Sequence, residues 1–132
     1  MRITADTNVL VRAIVAVEPK QARAAQSALS KADLIAITPT TLCELVWVLS
    51  RGYRIALTDI SLAIRHLISS ANVVVNRPAV EAGLALLDLG GDFADGIIAF
   101  EGANLGGTAF ATFDKDAAKQ LEKLGRDSLL LT

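Results

Sequence analysis

Short β-branched runs alternate with longer helical stretches along this chain, and that alternation restricts the fold more than any other feature. Strands are expected at Arg2–Ala5, Leu34–Thr38, Asn72–Val75, Thr108–Phe113 and Ser128–Leu131. Between them, helices are expected at Asn8–Val17, Pro19–Lys31, Pro39–Gly52, Asp59–Ser70, Pro78–Leu89, Phe93–Leu105 and Lys115–Leu124. Pro19, Pro39 and Pro78 fall where helices begin, a position at which the missing N–H costs nothing. Gly125 follows the seventh helix as a stop. Strands separated by helices form an open, mostly parallel sheet with helices on both faces, a three-layer α/β/α arrangement. The 132 residues contain no repeat, linker or low-complexity segment, so the expectation is one domain over residues 1–132.

Composition narrows the classes. Hydrophobic residues make up 52% of the chain and the mean hydropathy is +0.45. No apolar run reaches the roughly 18–20 residues that span a bilayer, so the surplus is expected to cover a buried sheet or an interface with another chain. Met1-Arg2 leads straight into a strand-like segment without a leader pattern, and a cytoplasmic protein is the expectation. Cys43 is the only cysteine, which excludes a disulfide framework and a Cys-rich zinc site. A net charge of −1 argues against binding long duplexes through phosphate contacts alone.

Four acids stand at separated turning points, each in apolar sequence: Asp6 in I-T-A-D-T-N-V-L, Glu44 in T-T-L-C-E-L-V-W, Asp95 in D-F-A-D-G-I-I-A and Asp114 in F-A-T-F-D-K-D. A carboxylate in such a setting is costly unless its charge is compensated. Asp6 and Asp114 each end a strand and open a helix, so each also reads as an N-cap. Asp92 and Asp95 read as a capping-box-like pair. Glu44 lies in the second turn of its helix with Trp47 and Val48 at i+3 and i+4, beyond capping range and without a cation on its own helix. It is expected to point into a cleft.

In a parallel sheet, residues that end strands and open helices share the rim at the strands' carboxyl ends. If the fold gathers the four there, they repel strongly unless a cation holds them or some are protonated. An all-oxygen donor set suits a hard divalent cation, Mg²⁺ or Mn²⁺.

These motifs, with A-D-T-N-V-L-V-R at the start, T-L-C-E-L-V-W-V-L-S-R-G-Y in the middle and A-T-F-D-K-D near the end, resemble PIN-domain ribonucleases, specifically VapC-type toxins. The resemblance covers essentially the whole chain. It implies a five-stranded sheet in the order 3-2-1-4-5, with the metal site at its carboxyl edge. It carries the family's acids onto Asp6, Glu44, Asp95 and Asp114, and places Asn8 and Thr112 as residues that orient those carboxylates by hydrogen bonding. Asp92 is a candidate to share the site with Asp95, and Asp116 to supplement or replace Asp114. It implies a Mg²⁺- or Mn²⁺-dependent endoribonuclease that leaves 5′-phosphate and 3′-hydroxyl ends, and a small cognate antitoxin. With the apolar surplus, it also points to a homodimer.

Other residues read more plainly. Arg12 and Arg51 lie near the first two acids and are candidates to contact RNA phosphate, against the simpler account of exposed helix charges. Trp47 could stack on a base, but packing in a core or dimer face is the expectation. His66, the only histidine, is expected as an ordinary surface or half-buried residue, and one histidine cannot supply the acid–base pair of a metal-free ribonuclease. Gly96, inside a helix, either loosens that turn or admits a close backbone neighbour. Gly90-Gly91 and Gly106-Gly107 read as turns. No phosphate-cradling glycine motif is present.

Two phosphoryl-transfer rivals fit less well. A haloacid-dehalogenase-like phosphatase needs D-x-D after the first strand, where this chain has Asp6-Thr7-Asn8. A receiver domain needs an acidic pair there and a lysine after the last strand, which Ser128–Thr132 lacks. The remaining alternative is a non-catalytic interaction domain that uses the acids only as caps.

Overall fold

The computed structural model describes residues 1–132. The chain divides into two compact units, Met1–Asn76 and Arg77–Thr132. The first unit runs β1 (Arg2–Thr4), α1 (Thr7–Val15), α2 (Pro19–Lys31), β2 (Leu34–Ala36), α3 (Pro39–Trp47), a π-helical turn (Val48–Gly52), α4 (Leu57–Ile68) and β3 (Val73–Val74). The second runs α5 (Arg77–Asp88), α6 (Phe93–Asn104), β4 (Phe110–Thr112), α7 (Lys115–Lys123) and β5 (Ser128–Leu130).

All strand pairings are parallel, as helical crossovers require. In the first unit β2 lies between β1 and β3, with Ile3 beside Ile35 and Ile35 beside Val73. In the second, β4 pairs β5 with Ala111 beside Leu129. The hydrogen-bonded ladders are one of three strands, in the order β1-β2-β3, and one of two, β4-β5; the expected single five-stranded sheet in the order 3-2-1-4-5 is not shown. The strands are also shorter than expected, because a β-branched run continues past the last residue with a ladder partner. In Leu34–Thr38 the ladder stops at Ala36, and Thr38 already caps α3 through the Thr41 N–H (3.2 Å).

Helix boundaries follow local chemistry. Pro19 and Pro39 occupy first positions of α2 and α3. Glu18 caps α2 by accepting the N–H groups of Lys20 and Gln21. Gly125, at φ +80°, ends α7 in the left-handed conformation glycine adopts without strain. The helix expected over Pro39–Gly52 instead changes from α to π at Val48, where the Tyr53 N–H reaches back five residues to the Val48 carbonyl (3.2 Å).

Amphipathic stripes supply the core. Leu10 of α1, Leu42 and Leu45 of α3, and Ile60 and Ile64 of α4 are fully buried in the first unit, and α1 packs against α2 and α3. Val80, Leu84 and Leu86 of α5, Phe93 of α6 and Leu121 of α7 are fully buried in the second. Helices α5 and α6 pack against each other most extensively, and Gly96 explains how. A Cβ on Gly96 would stand 2.5 Å from the Ala82 carbonyl oxygen and 2.9 Å from the Gly83 Cα, so only glycine allows this backbone approach. Of its two expected roles, Gly96 therefore has the second. No helix is long and apolar enough to cross a membrane.

Candidate metal-binding acids

In the second unit, Asp92 and Asp114 both lie within electrostatic range of Asp95. Asp92 is the N-cap of α6, accepting the Ala94 N–H on Oδ1 at 3.0 Å. Asp95 follows three residues later in the first turn of the same helix. Asp114 leaves the carboxyl end of β4 and caps α7, its Oδ1 accepting the N–H groups of Asp116 (2.9 Å) and Ala117 (3.1 Å). Because α6 feeds β4, its first turn lies toward the end from which Asp114 emerges.

Asp95 is half-buried, and its pKa is raised above the ordinary carboxylate value of 3.8. Burial is the largest cause, followed by the negative charges of Asp92 and then Asp114. None of the three carboxylates has an ion-pair partner within the protein. The desolvation cost inferred for all four acids from their apolar flanks applies to Asp95 alone, since Asp6, Glu44 and Asp114 are exposed. Flanking residues in a helix or turn point to other faces, so apolar neighbours in sequence need not surround a side chain.

In the first unit, Asp6 follows β1 and caps α1, accepting the Thr7 N–H on Oδ1 at 2.9 Å. Helix α3 leaves the neighbouring parallel strand β2 at the same edge, so Asp6 and the start of α3 share the carboxyl rim of the three-stranded ladder. Glu44 stands on the exposed face of α3, opposite buried Leu42, Leu45 and Val46, and its carboxylate makes no hydrogen bond or ion pair. The expected cleft is not shown; the side chain is exposed and has no partner.

Capping and ligation use different atoms. In Asp6, Asp92 and Asp114 the cap engages Oδ1, and Oδ2 accepts no hydrogen bond. Each cap thus leaves one hard oxygen donor available. No three of the chain's His, Cys, Asp and Glu side chains are drawn together into a finished metal cage. Mutual repulsion of uncompensated carboxylates opposes such a cage.

The supporting candidates divide. The Thr112 hydroxyl accepts the backbone N–H of Asp114 at 3.0 Å, so it fixes the backbone of that acid rather than its carboxylate. Asn8 is exposed in the first turn of α1 and makes no hydrogen bond through its side chain. Asn8 and Arg12 line a groove of about 460 Å³ between α1 and α2, with Arg12 half-buried. Asp116 is exposed in the first turn of α7 and contributes its N–H to the Asp114 cap. Arg51 is exposed in the π-helical turn, and His66 is exposed on α4 as expected. Trp47 is 61% exposed, which removes the core role expected for it.

Neither curated proteins nor solved structures gave a match to this chain. A comparison with protein families matches residues 3–124 to the PIN domain, a span that contains all four acids. The chain belongs to the PIN domain family, whose members are generally metal-dependent nucleases.

Proposed function

We propose that the chain is a metal-dependent endoribonuclease acting in the cytoplasm as the VapC-type toxin of a toxin–antitoxin pair. The observation that carries the nuclease reading is Asp95, half-buried beside Asp92 and Asp114 with no protein cation to offset the three charges. Such a donor set fits a hard divalent cation, Mg²⁺ or Mn²⁺. Asp6, Glu44, Asp95 and Asp114 are the ligands this reading assigns, directly or through water. Asp92 adds negative charge beside Asp95, and Asp116 supports the Asp114 cap.

When bound, the cation supplies Lewis acidity toward the scissile phosphodiester and acidifies an attacking water. The protein's own groups do the positioning. Helix caps hold one oxygen of Asp6, Asp92 and Asp114 in place, so the free oxygen is presented without a rotamer search. Thr112 sets the backbone from which Asp114 projects. Arg12 and Arg51 are candidate contacts for substrate phosphates.

Partners follow from the same reading. Concentrated negative charge invites an arginine or lysine from a small antitoxin, which would pair with Glu44 or Asp95 and exclude the metal. Exposed aliphatic side chains such as Leu62 of α4, 65% exposed, provide material for a symmetric homodimer.

Induction of the chain alone in a host cell is the test of the toxin role. Growth should arrest, RNA 5′ ends carrying phosphate should accumulate at defined positions, and co-expression of a neighbouring small protein should restore growth. Equal harmlessness of wild type and Glu44→Gln across hosts, with no co-purifying small protein, would end the toxin assignment.

A further inference from the structure

The only tryptophan and the only tyrosine of this chain lie six residues apart, in a stretch that carries two arginines and no acid from Leu45 to Thr58. In a protein of net charge −1, that is a local concentration of positive charge and aromatic surface. The fold turns it outward. Leu42, Leu45, Val46 and Leu49 form the buried stripe of α3 and the π-helical turn, while Trp47 is 61% exposed and Arg51, one turn on, is exposed. Tyr53 is 39% exposed at the end of the turn.

Arg54 closes this segment in an unusual conformation. Its φ is +54°, the left-handed region, where the chain folds back so that the Ile55 N–H meets the Leu49 carbonyl at 3.0 Å. Glycine is the residue such a closing position favours, because a Cβ is strained there. The Arg54 side chain makes no hydrogen bond, ion pair or ring contact in return, and neither does that of Arg51. Two guanidinium groups without a polar partner thus stand in the same segment as two exposed aromatic rings.

We propose that Trp47, Arg51, Tyr53 and Arg54 form the surface on which single-stranded RNA docks, the rings stacking on bases and the guanidinium groups meeting phosphates. The inference rests on the nuclease reading for its ligand and goes beyond it by naming the surface. Charge complementarity selects this occupant: a polyanion matches two unpaired arginines, whereas a second copy of this chain would bring the same positive charges against each other across a two-fold axis. Stacking accepts any base, so the surface supplies affinity and leaves the choice of cleavage site to other contacts. Trp47 stands at i+3 from Glu44 on the same exposed face, so a strand docked here passes beside an assigned ligand of the metal.

Binding can be measured apart from cleavage. A labelled single-stranded RNA of roughly 12 nucleotides is titrated with the protein in chelator, reading anisotropy and the emission of Trp47, the sole indole. RNA should quench that emission, and binding should weaken with salt. Trp47→Ala, Arg51→Ala and Arg54→Gly should each weaken binding about ten-fold, with Trp47→Phe restoring most of the loss. Arg54→Gly should also raise the melting temperature, because glycine relieves the backbone strain, so weaker binding by a more stable protein cannot be blamed on misfolding. Wild-type affinity in all three variants, or no binding by wild type, would overturn the inference. So would a Trp47 emission that shifts with protein concentration and ignores RNA, the outcome expected if a second copy covers this face. Wild type that binds with quenching but never cleaves in metal would end the nuclease reading and leave this surface standing. Cleavage with the same KM in wild type and all three variants would do the reverse.

Discussion

Asp95 stands half-buried within electrostatic range of Asp114, although one opens α6 and the other leaves the end of β4. Burial, then the charge of Asp92, then that of Asp114, raise the Asp95 pKa in the folded protein, and of these burial and the approach of Asp114 depend on the fold. Without metal, the contribution of Asp95 to stability is therefore fully present below its unfolded value of 3.8 and is lost as pH rises through the raised folded value. Asp95→Asn removes that loss. Its metal-free melting temperature should exceed that of wild type at neutral pH, and the difference should vanish below pH 3.8. Thermal melts in chelator across that range check the sign; a difference that grew toward acid would contradict it.

Glu44 separates activity from stability most cleanly. Its side chain is exposed and makes no hydrogen bond or ion pair. Glu44→Gln should change unfolding free energy by no more than about 0.5 kcal/mol. Cleavage should fall by more than the roughly 10–100-fold typical of losing an outer partner of a metal ligand. Chemical denaturation and a cleavage time course on the same preparation measure both.

Asp114 carries two roles that two substitutions can divide. Asp114→Asn keeps an oxygen for the cap on α7 and loses the charge, so cleavage should drop with little change in stability. Asp114→Ala removes both and should cost about 1 kcal/mol as well. Equal stability of the two variants would show that the cap contributes nothing.

Gly96 sits next to Asp95 where α6 meets α5. Gly96→Ala drives a methyl group against the Ala82 carbonyl and the Gly83 backbone, neither of which can rotate away. We expect a loss of about 1–3 kcal/mol and reduced activity through displacement of Asp95. A melt and a cleavage assay on this variant check both effects.

The helices were legible because their signals are local. Pro19 and Pro39, the Asp6, Asp92 and Asp114 caps and the Gly125 stop each act within one turn of the boundary they mark. Strand ends are less legible, since a ladder ends where its partner ends and Ala36 or Thr112 carries no mark of that. The acids were legible as residue types at turning points, but exposure was not. The apolar neighbours Leu42, Leu45 and Val46 of Glu44 are buried on other faces of α3. No local residue announces the π-helical turn or the left-handed Arg54, whereas a glycine at position 54 would have marked the latter.

The most direct test of the central claim is cleavage of single-stranded RNA by the purified chain, with Mg²⁺ or Mn²⁺ added, in chelator, and with metal restored. The account predicts 5′-phosphate products with metal, none in chelator, recovery when metal returns, and at least ~100-fold less product from Asp95→Asn, beyond the range for an outer partner. Cleavage that persists in chelator, or undiminished cleavage by Asp95→Asn with the same metal requirement, would contradict it.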